Sequence, residues 1–302
     1  MEVFPKVKLV VSACLSGERK RYDGKIVTHP LVEKLKNYCD FILFCPETGI
    51  GLPVPRDRTI LLKTNSSIKA FYLGTKEDIT EKVYNYYLNF KKALKEADGF
   101  LLKAKSPSCG ISPKTKTYSD ENGEKLISRN KGILADFIIK DFAPLPIADE
   151  YMLKDNEVFE DFFTRLFLFA RLRASKTYEE EKKLTASKNL ALFLLAYNPS
   201  ALETLGGFER VFKLRPEAFD IKMFPNSFSR SKFYNAFLHL LNLLKPVLSS
   251  SAKKQYQLIL DKFVRGKKDL IQTCNFIKSL LPEDLKTEFA WFLNPYPEEL
   301  RG

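Results

Sequence analysis

Three cysteines fall where an apolar run gives way to a turn: Cys14 after KLVVSA, Cys45 after FILF, and Cys109 within KAKSPSCG. Thiolates are soft ligands that select zinc, copper(I) or iron–sulfur clusters, so a metal centre is the first chemistry to weigh, against the plainer alternative of buried free cysteines. No short CxxC spacing supports a site, because the three are 31 and 64 residues apart; only topology can bring them together. A structural zinc or an electron-transfer cluster is normally closed by four protein ligands, whereas three leave a position open to substrate. Cys39, at the start of the FILFC run, and Cys274, in a helical apolar pattern, are the remaining thiols, both expected to be inert. Glu47 follows Cys45 by two residues and Ser106 precedes Cys109 by three, a carboxyl and a hydroxyl that can relay a proton. Gly49, Gly51 and Gly110 are expected to let the backbone approach a bound group.

The elements that must position these residues read as strands and helices in alternation. Residues 7–13, 41–45 and 99–104 are short apolar runs followed by turn signals, and 30–38 and 78–96 have helical spacing. This pattern predicts an α/β domain with a mainly parallel, Rossmann-like sheet, in which a ligand crevice lies beyond the carboxyl ends of the strands where the three thiols fall. Asp78 with Glu81 three residues later predicts a capping box for the second helix. After APLPI at 143–147 nearly everything from 155 to 294 reads as helix, broken at Asn198-Pro199, Gly206-Gly207, Pro225-Asn226 and Gly266. The domains expected are therefore 1–148, α/β, and 149–302, all-α. In the second, Phe159, Phe162, Phe163, Leu166, Phe167, Phe169 and Ala170 form a core stripe, with Arg165, Arg171 and Arg173 elsewhere on the helix, and Ser250 or Ser251 caps a helix that ends at Gly266.

Composition narrows the classes. The 302 residues hold 49 Lys plus Arg against 37 Asp plus Glu, a net +12, which favours an acidic partner such as nucleic acid or a nucleotide. The excess is shared between the halves, 25 basic against 17 acidic up to residue 145 and 24 against 20 beyond it, so the basic face is expected on both domains. No run approaches a membrane span and the N-terminus lacks a signal-peptide core, so cytoplasm, no membrane and no obligate protein partner are the expectations. Five cysteines in such a chain point to reduced thiols or a metal rather than disulfides. His29 and His239 are the only histidines; they are expected to be a helix-cap neighbour and a packed helix residue, leaving little for histidine-based zinc or Ser-His chemistry.

The motifs ACLSG (13–17), RYDG (21–24), CPETGIGLPVPR (45–56) and KAKSPSCG (103–110) resemble the thiouracil desulfidase (TudS) family, and DFFTRLFLFARLR (161–173) with FLNPYPEEL (292–300) resembles the YbgA-like helical domain often fused to it. The resemblance implies that Cys14, Cys45 and Cys109 hold a 4Fe-4S cluster with one open iron and that Glu47 and Ser106 are catalytic. Fused members are similar to tRNA 4-thiouridine desulfidases, so the implied activity is conversion of 4-thiouridine in tRNA to uridine with release of sulfide. Free 2- or 4-thiouracil or 4-thiouridine monophosphate is the alternative substrate, and a non-catalytic, metal-containing RNA-binding or redox-sensing protein is the alternative of another class. Lys20, Arg21 and Arg56 border the same loops and are expected to bind the phosphate of the substrate, with ordinary loop pairing to Asp23 and Asp57 as the competing role for the arginines. The helical domain is expected to bind RNA or to serve as an interaction domain.

Overall fold

A computed structural model describes residues 4–225 and 228–301, and the chain divides into two compact units, Lys6–Asp155 and a second made of the N-terminal five residues with Asn156–Gly302. The first unit is built on four parallel strands in the order β2-β1-β6-β9: β1 Val7–Ser12, β2 Cys39–Phe44, β6 Gly99–Leu102 and β9 Ile147–Asp149. Alternation along β1 and β6 sends Val10, Phe100 and Leu102 to one face. There they pack with Val83, Tyr87 and Leu94 of a long helix, Thr80–Leu94, and with Leu134, Ile138 and Phe142 around a second helix, Ala135–Phe142. The Tyr87 hydroxyl ties the two helices by donating to Asp141 at 2.7 Å. A short helix, Pro30–Leu35, links β1 to β2.

The strand order places a switch point between β1 and β6, because the chain leaves β1 toward β2 on one side and fills β6 and β9 on the other. In open α/β sheets that is where a ligand crevice forms. A second, mixed sheet, in the order β5-β4-β3-β7-β8, runs through β3 Thr59–Lys63, β4 Ile68–Tyr72, β5 Glu77–Asp78, β7 Thr115–Tyr118 and β8 Leu126–Asn130. Asp78 lies on β5 rather than in a capping box: it accepts from the Thr80 amide at 3.0 Å and pairs with Lys69.

The second unit is helical. Its first helix, Asn156–Ser175, buries the phenylalanine stripe, and also buries Arg165 and Arg171 completely, against the expectation that the arginines lie off the core. Each has a partner that makes burial tolerable. Arg165 pairs with Asp161 at 3.0 Å, and Arg171 donates to the carbonyls of Trp291, Asn294 and Pro295. Buried Glu160 accepts from the Tyr296 hydroxyl and from Arg301, both at 2.5 Å. Arg171 joins the two sequence motifs of this unit. The helix Glu180–Tyr197 ends at Asn198, whose side chain caps the next helix, Pro199–Thr204. Gly206 and Gly207 take positive φ before the short helix Phe208–Val211. The expected break at Pro225-Asn226 falls partly outside the described residues. Three longer helices follow, Arg230–Leu244, Ser250–Val264 and Leu270–Ser279. Ser249, one residue earlier than expected, caps the middle one by accepting from the Ala252 amide at 3.1 Å, and Gly266 with φ +71° follows its end. Among the described residues no helix is long and apolar enough to cross a membrane.

Candidate functional site

The three cysteines sit just past the carboxyl ends of three neighbouring strands. Cys14 is in the single 3-10 turn that continues β1, Cys45 precedes the turn of helix Pro46–Gly49 after β2, and Cys109 is in the loop after β6. All three line one cavity of about 490 Å³, together with Glu47, Ser106, Lys20, Arg21 and Arg56. Every candidate site residue from the sequence is therefore brought to one crevice. Cys39 pairs with Val7 at the opposite end of β2 and Cys274 is buried in the helical unit, where its thiol faces the Phe292 carbonyl; neither lines the cavity.

Glu47 is almost buried and both of its carboxylate oxygens are occupied. Arg56 donates to Oε2 from Nε at 3.0 Å and from Nη2 at 2.6 Å, while the Ser108 hydroxyl donates to Oε1 at 3.1 Å. Arg56 is engaged more fully than an anion receptor should be: its side chain is 3% exposed, and its remaining nitrogen donates to the Lys20 carbonyl at 3.1 Å. Its partner is Glu47 rather than Asp57, and its task is to hold that carboxylate. Arg21 is similarly committed, forking onto Asp23 with two contacts of 3.0 Å; this hydrogen bonding drops the Asp23 carboxyl to about 2. Of the three cations first assigned to phosphate, Lys20 alone has no ion pair among the described residues.

Ser106 faces the third cysteine, not Glu47. Its hydroxyl oxygen accepts from the Ser108 and Cys109 amides at 3.3 and 3.2 Å and lies 3.2 Å from the Cys109 sulfur. The Cys109 sulfur is the acceptor within reach of the Ser106 hydroxyl proton once that thiol is ionised, and this hydrogen bond favours the thiolate. Two hydroxyls escaped the sequence analysis: Ser108, on Glu47, and Ser12, at the end of β1 and 3.3 Å from the Cys109 sulfur. The signal for Ser108 was present, since it is the second serine of SPSC. Gly49 and Gly110 act differently from expectation. A Cβ on Gly49 would lie 2.1 Å from the Tyr86 ring and one on Gly110 would lie 2.9 Å from the Ser106 carbonyl, so they admit the protein's own packing.

Burial raises the Cys14 thiol far above its ordinary range, with Cys109 and Cys45 adding to the effect. Burial pushes Cys109 up to about 11, opposed by hydrogen bonding to Ser106 and Ser12. Three thiols within electrostatic reach of one another become thiolates together only against a cation that replaces their protons. Among the described residues no three His, Cys, Asp or Glu side chains group closely enough for a single metal ion. A polynuclear cluster makes a different demand, since each cysteine binds its own iron and the sulfurs need only border a common space. The donor set and the cavity fit that demand.

Two other features shape the pocket. The mixed sheet supplies one wall, through Thr59, Ile60, Thr115, Lys116, Tyr118 and Arg129, with Arg58 just before β3. Nine lysines and arginines line the cavity against one carboxylate, Glu47, so its lining is strongly basic.

Residues 9–150 match the family described as 2-thiouracil desulfurase, and residues 217–297 match a family described as a protein of unknown function, DUF1722. A solved structure titled "[4Fe-4S]-dependent thiouracil desulfidase TudS" is 24% identical over 49% of this chain and 94% of its own, with a TM-score of 0.37. No curated protein matches. The chain thus carries a region that matches the 2-thiouracil desulfurase family, followed by a DUF1722 region.

Proposed function

We propose that the protein is a cytoplasmic, cluster-dependent, non-redox desulfidase that converts 4-thiouridine in tRNA to uridine and releases sulfide. The observation that carries this reading is the meeting of Cys14, Cys45, Cys109, Glu47 and Ser106 on one strongly basic cavity at the switch point of the sheet. Cys14, Cys45 and Cys109 would hold a 4Fe-4S cluster, which with three protein ligands supplies a soft Lewis acid for a thiocarbonyl sulfur.

The net change exchanges C=S for C=O: water adds at C4, the carbon–sulfur bond breaks, hydrosulfide leaves, and no electrons are transferred. Within it the chain's own residues manage protons and position. Glu47 is the carboxylate of the cavity that would take the proton of the attacking water, and Arg56 and Ser108 fix its orientation. Ser106, hydrogen-bonded to the Cys109 sulfur, would pass its hydroxyl proton to the ring or to the departing sulfur. The cavity is of ordinary small-molecule size and larger than a pyrimidine alone needs. A tRNA base would have to leave its stack to enter, at a cost of roughly a few kcal/mol. The helical domain would supply RNA backbone contacts, with Lys262, Arg265, Lys267 and Lys268 as its densest basic segment.

The test is anaerobic incubation of the reconstituted full-length protein with thiolated tRNA, followed by mass spectrometry of the nucleosides. Loss of 4-thiouridine with a matching gain of uridine and sulfide is expected. Intact 4-thiouridine in tRNA beside consumed 4-thiouridine monophosphate or free thiouracil would replace the tRNA reading by the small-molecule one.

A further inference from the structure

Ser12 closes β1, the strand at the switch point, and alternation along that strand puts it on the same face as Val10, where apolar side chains pack against the helices. It is 1% exposed, and a hydroxyl so deeply buried costs stability unless it is hydrogen-bonded. Two partners meet that need. The Lys103 amide, just past the end of β6, donates to the Ser12 Oγ at 2.9 Å, and the Cys109 sulfur lies 3.3 Å from the same oxygen. With the amide filling the acceptor side, the hydroxyl's own proton is left for the sulfur. Cys109 also faces the Ser106 hydroxyl at 3.2 Å, whereas among the described residues no hydroxyl or amide hydrogen-bonds to the sulfur of Cys14 or Cys45. The three thiols are therefore unequal: one is within reach of two hydroxyls and two are within reach of none.

We infer that Ser12 is a positioning residue for the cluster, donating to the Cys109 thiolate and so making that ligand a weaker electron donor than Cys14 or Cys45. The inference rests on these three cysteines holding the cluster. A hydrogen bond to a thiolate is strong because its acceptor is charged, and it favours whichever cluster state carries more negative charge. Loss of the hydroxyl must then lower the reduction potential. The same withdrawal of electron density leaves the open iron more acidic toward a soft sulfur, so Ser12 acts on the substrate through Cys109. A serine kept only to satisfy the Lys103 amide would do neither.

Anaerobic dye-mediated redox titration of the reconstituted full-length protein, followed by electron paramagnetic resonance, tests this with Ser12→Ala and Ser12→Thr. Ser12→Ala is expected to shift the ratio of oxidised to reduced cluster at a fixed ambient potential about tenfold toward oxidised, a midpoint about 59 mV lower for one electron. Ser12→Thr keeps the hydroxyl and should stay close to wild type. An unchanged potential in Ser12→Ala with its iron complement intact would overturn the inference. Resonance Raman spectroscopy of Ser106→Ala in H2O and D2O decides the matter even where Ser12→Ala does not retain iron. In that protein Ser12 is the one hydroxyl left on Cys109 among the described residues, so a deuterium shift of the iron–cysteine sulfur stretch is expected, and its absence contradicts the assignment. Wild type that binds no iron would sink the cluster assignment and this inference with it. Failure of the desulfidase reading alone shows separately, as a cluster that titrates as expected in a protein that consumes no thiolated substrate.

Discussion

Replacing Arg56 by methionine removes three nitrogens' worth of hydrogen bonding from a buried position while keeping most of the side chain's volume. Two of those nitrogens serve Glu47 at 3.0 and 2.6 Å, and the third serves a backbone carbonyl. Breaking one side of a buried ion pair typically costs about 3–5 kcal/mol, because the abandoned charge stays in a poorly solvated place. Ser108 still donates to Oε1, which sets the expectation for Arg56→Met near the lower end, about 3 kcal/mol. Glu47→Gln strands the guanidinium in turn and should cost a similar amount, about 3 kcal/mol. The double variant then costs less than the sum of the two, by a coupling of about 2 kcal/mol. Arg56→Lys keeps the charge but loses the two-nitrogen grip, and falls between wild type and Arg56→Met. Urea denaturation of the iron-free protein, followed by far-UV circular dichroism, measures all four without interference from a cofactor. Strict additivity, or a cost below about 1 kcal/mol for Arg56→Met, would refute the claim that this arginine exists to hold Glu47.

Other expectations are more local. The Asp23 carboxyl should titrate near 2 by NMR and move toward 3.8 in Arg21→Gln; since its folded value is the lower one, the support it gives is present above the ordinary value and is lost as the pH falls toward 2. Gly132→Ala would place a Cβ 2.7 Å from the Gly110 nitrogen and 2.9 Å from the Cys109 nitrogen, both backbone atoms, so overpacking should cost about 1–3 kcal/mol and displace the third cysteine, read as iron retention after desalting well below wild type. Tyr296→Phe leaves buried Glu160 without its 2.5 Å hydroxyl donor and should lower stability by about 1.5–3 kcal/mol in the same urea assay.

How much could be read from the residues differs by element. The strands that carry the cysteines are apolar and end in turns, so β1, β2 and β6 were legible, and with them the idea that the thiols converge. Helix Thr80–Leu94 was legible from its spacing, but its start was not, because Asp78 is drawn into β5 by pairing with β4, a contact no local pattern announces. The mixed sheet was missed for the same reason. Its strands are short and β8 is largely exposed, although the turn signal SDENG between β7 and β8 marked a hairpin, with Asp120 accepting from the Asn122, Glu124 and Lys125 amides. The roles of Arg56 and Ser108 depend on which side chain meets which across 9 and 61 residues of chain. Sequence could place both beside the thiols and could not choose their partner. Arg165 and Arg171 mislead in the opposite direction, since charge on a helix normally means solvent, whereas the carbonyls of Trp291, Asn294 and Pro295, in and beside the distant FLNPYPEEL motif, help make burial of Arg171 acceptable.

The central claim is that Cys14, Cys45 and Cys109, and no other thiol, hold one cluster. Anaerobic quantification of iron and acid-labile sulfide in wild type and in each of the five Cys→Ala variants tests it most directly. The account predicts about four of each per chain in wild type, Cys39→Ala and Cys274→Ala, and near-complete loss in the other three. Equal iron in all six proteins, or loss on replacing Cys39 alone, would contradict it.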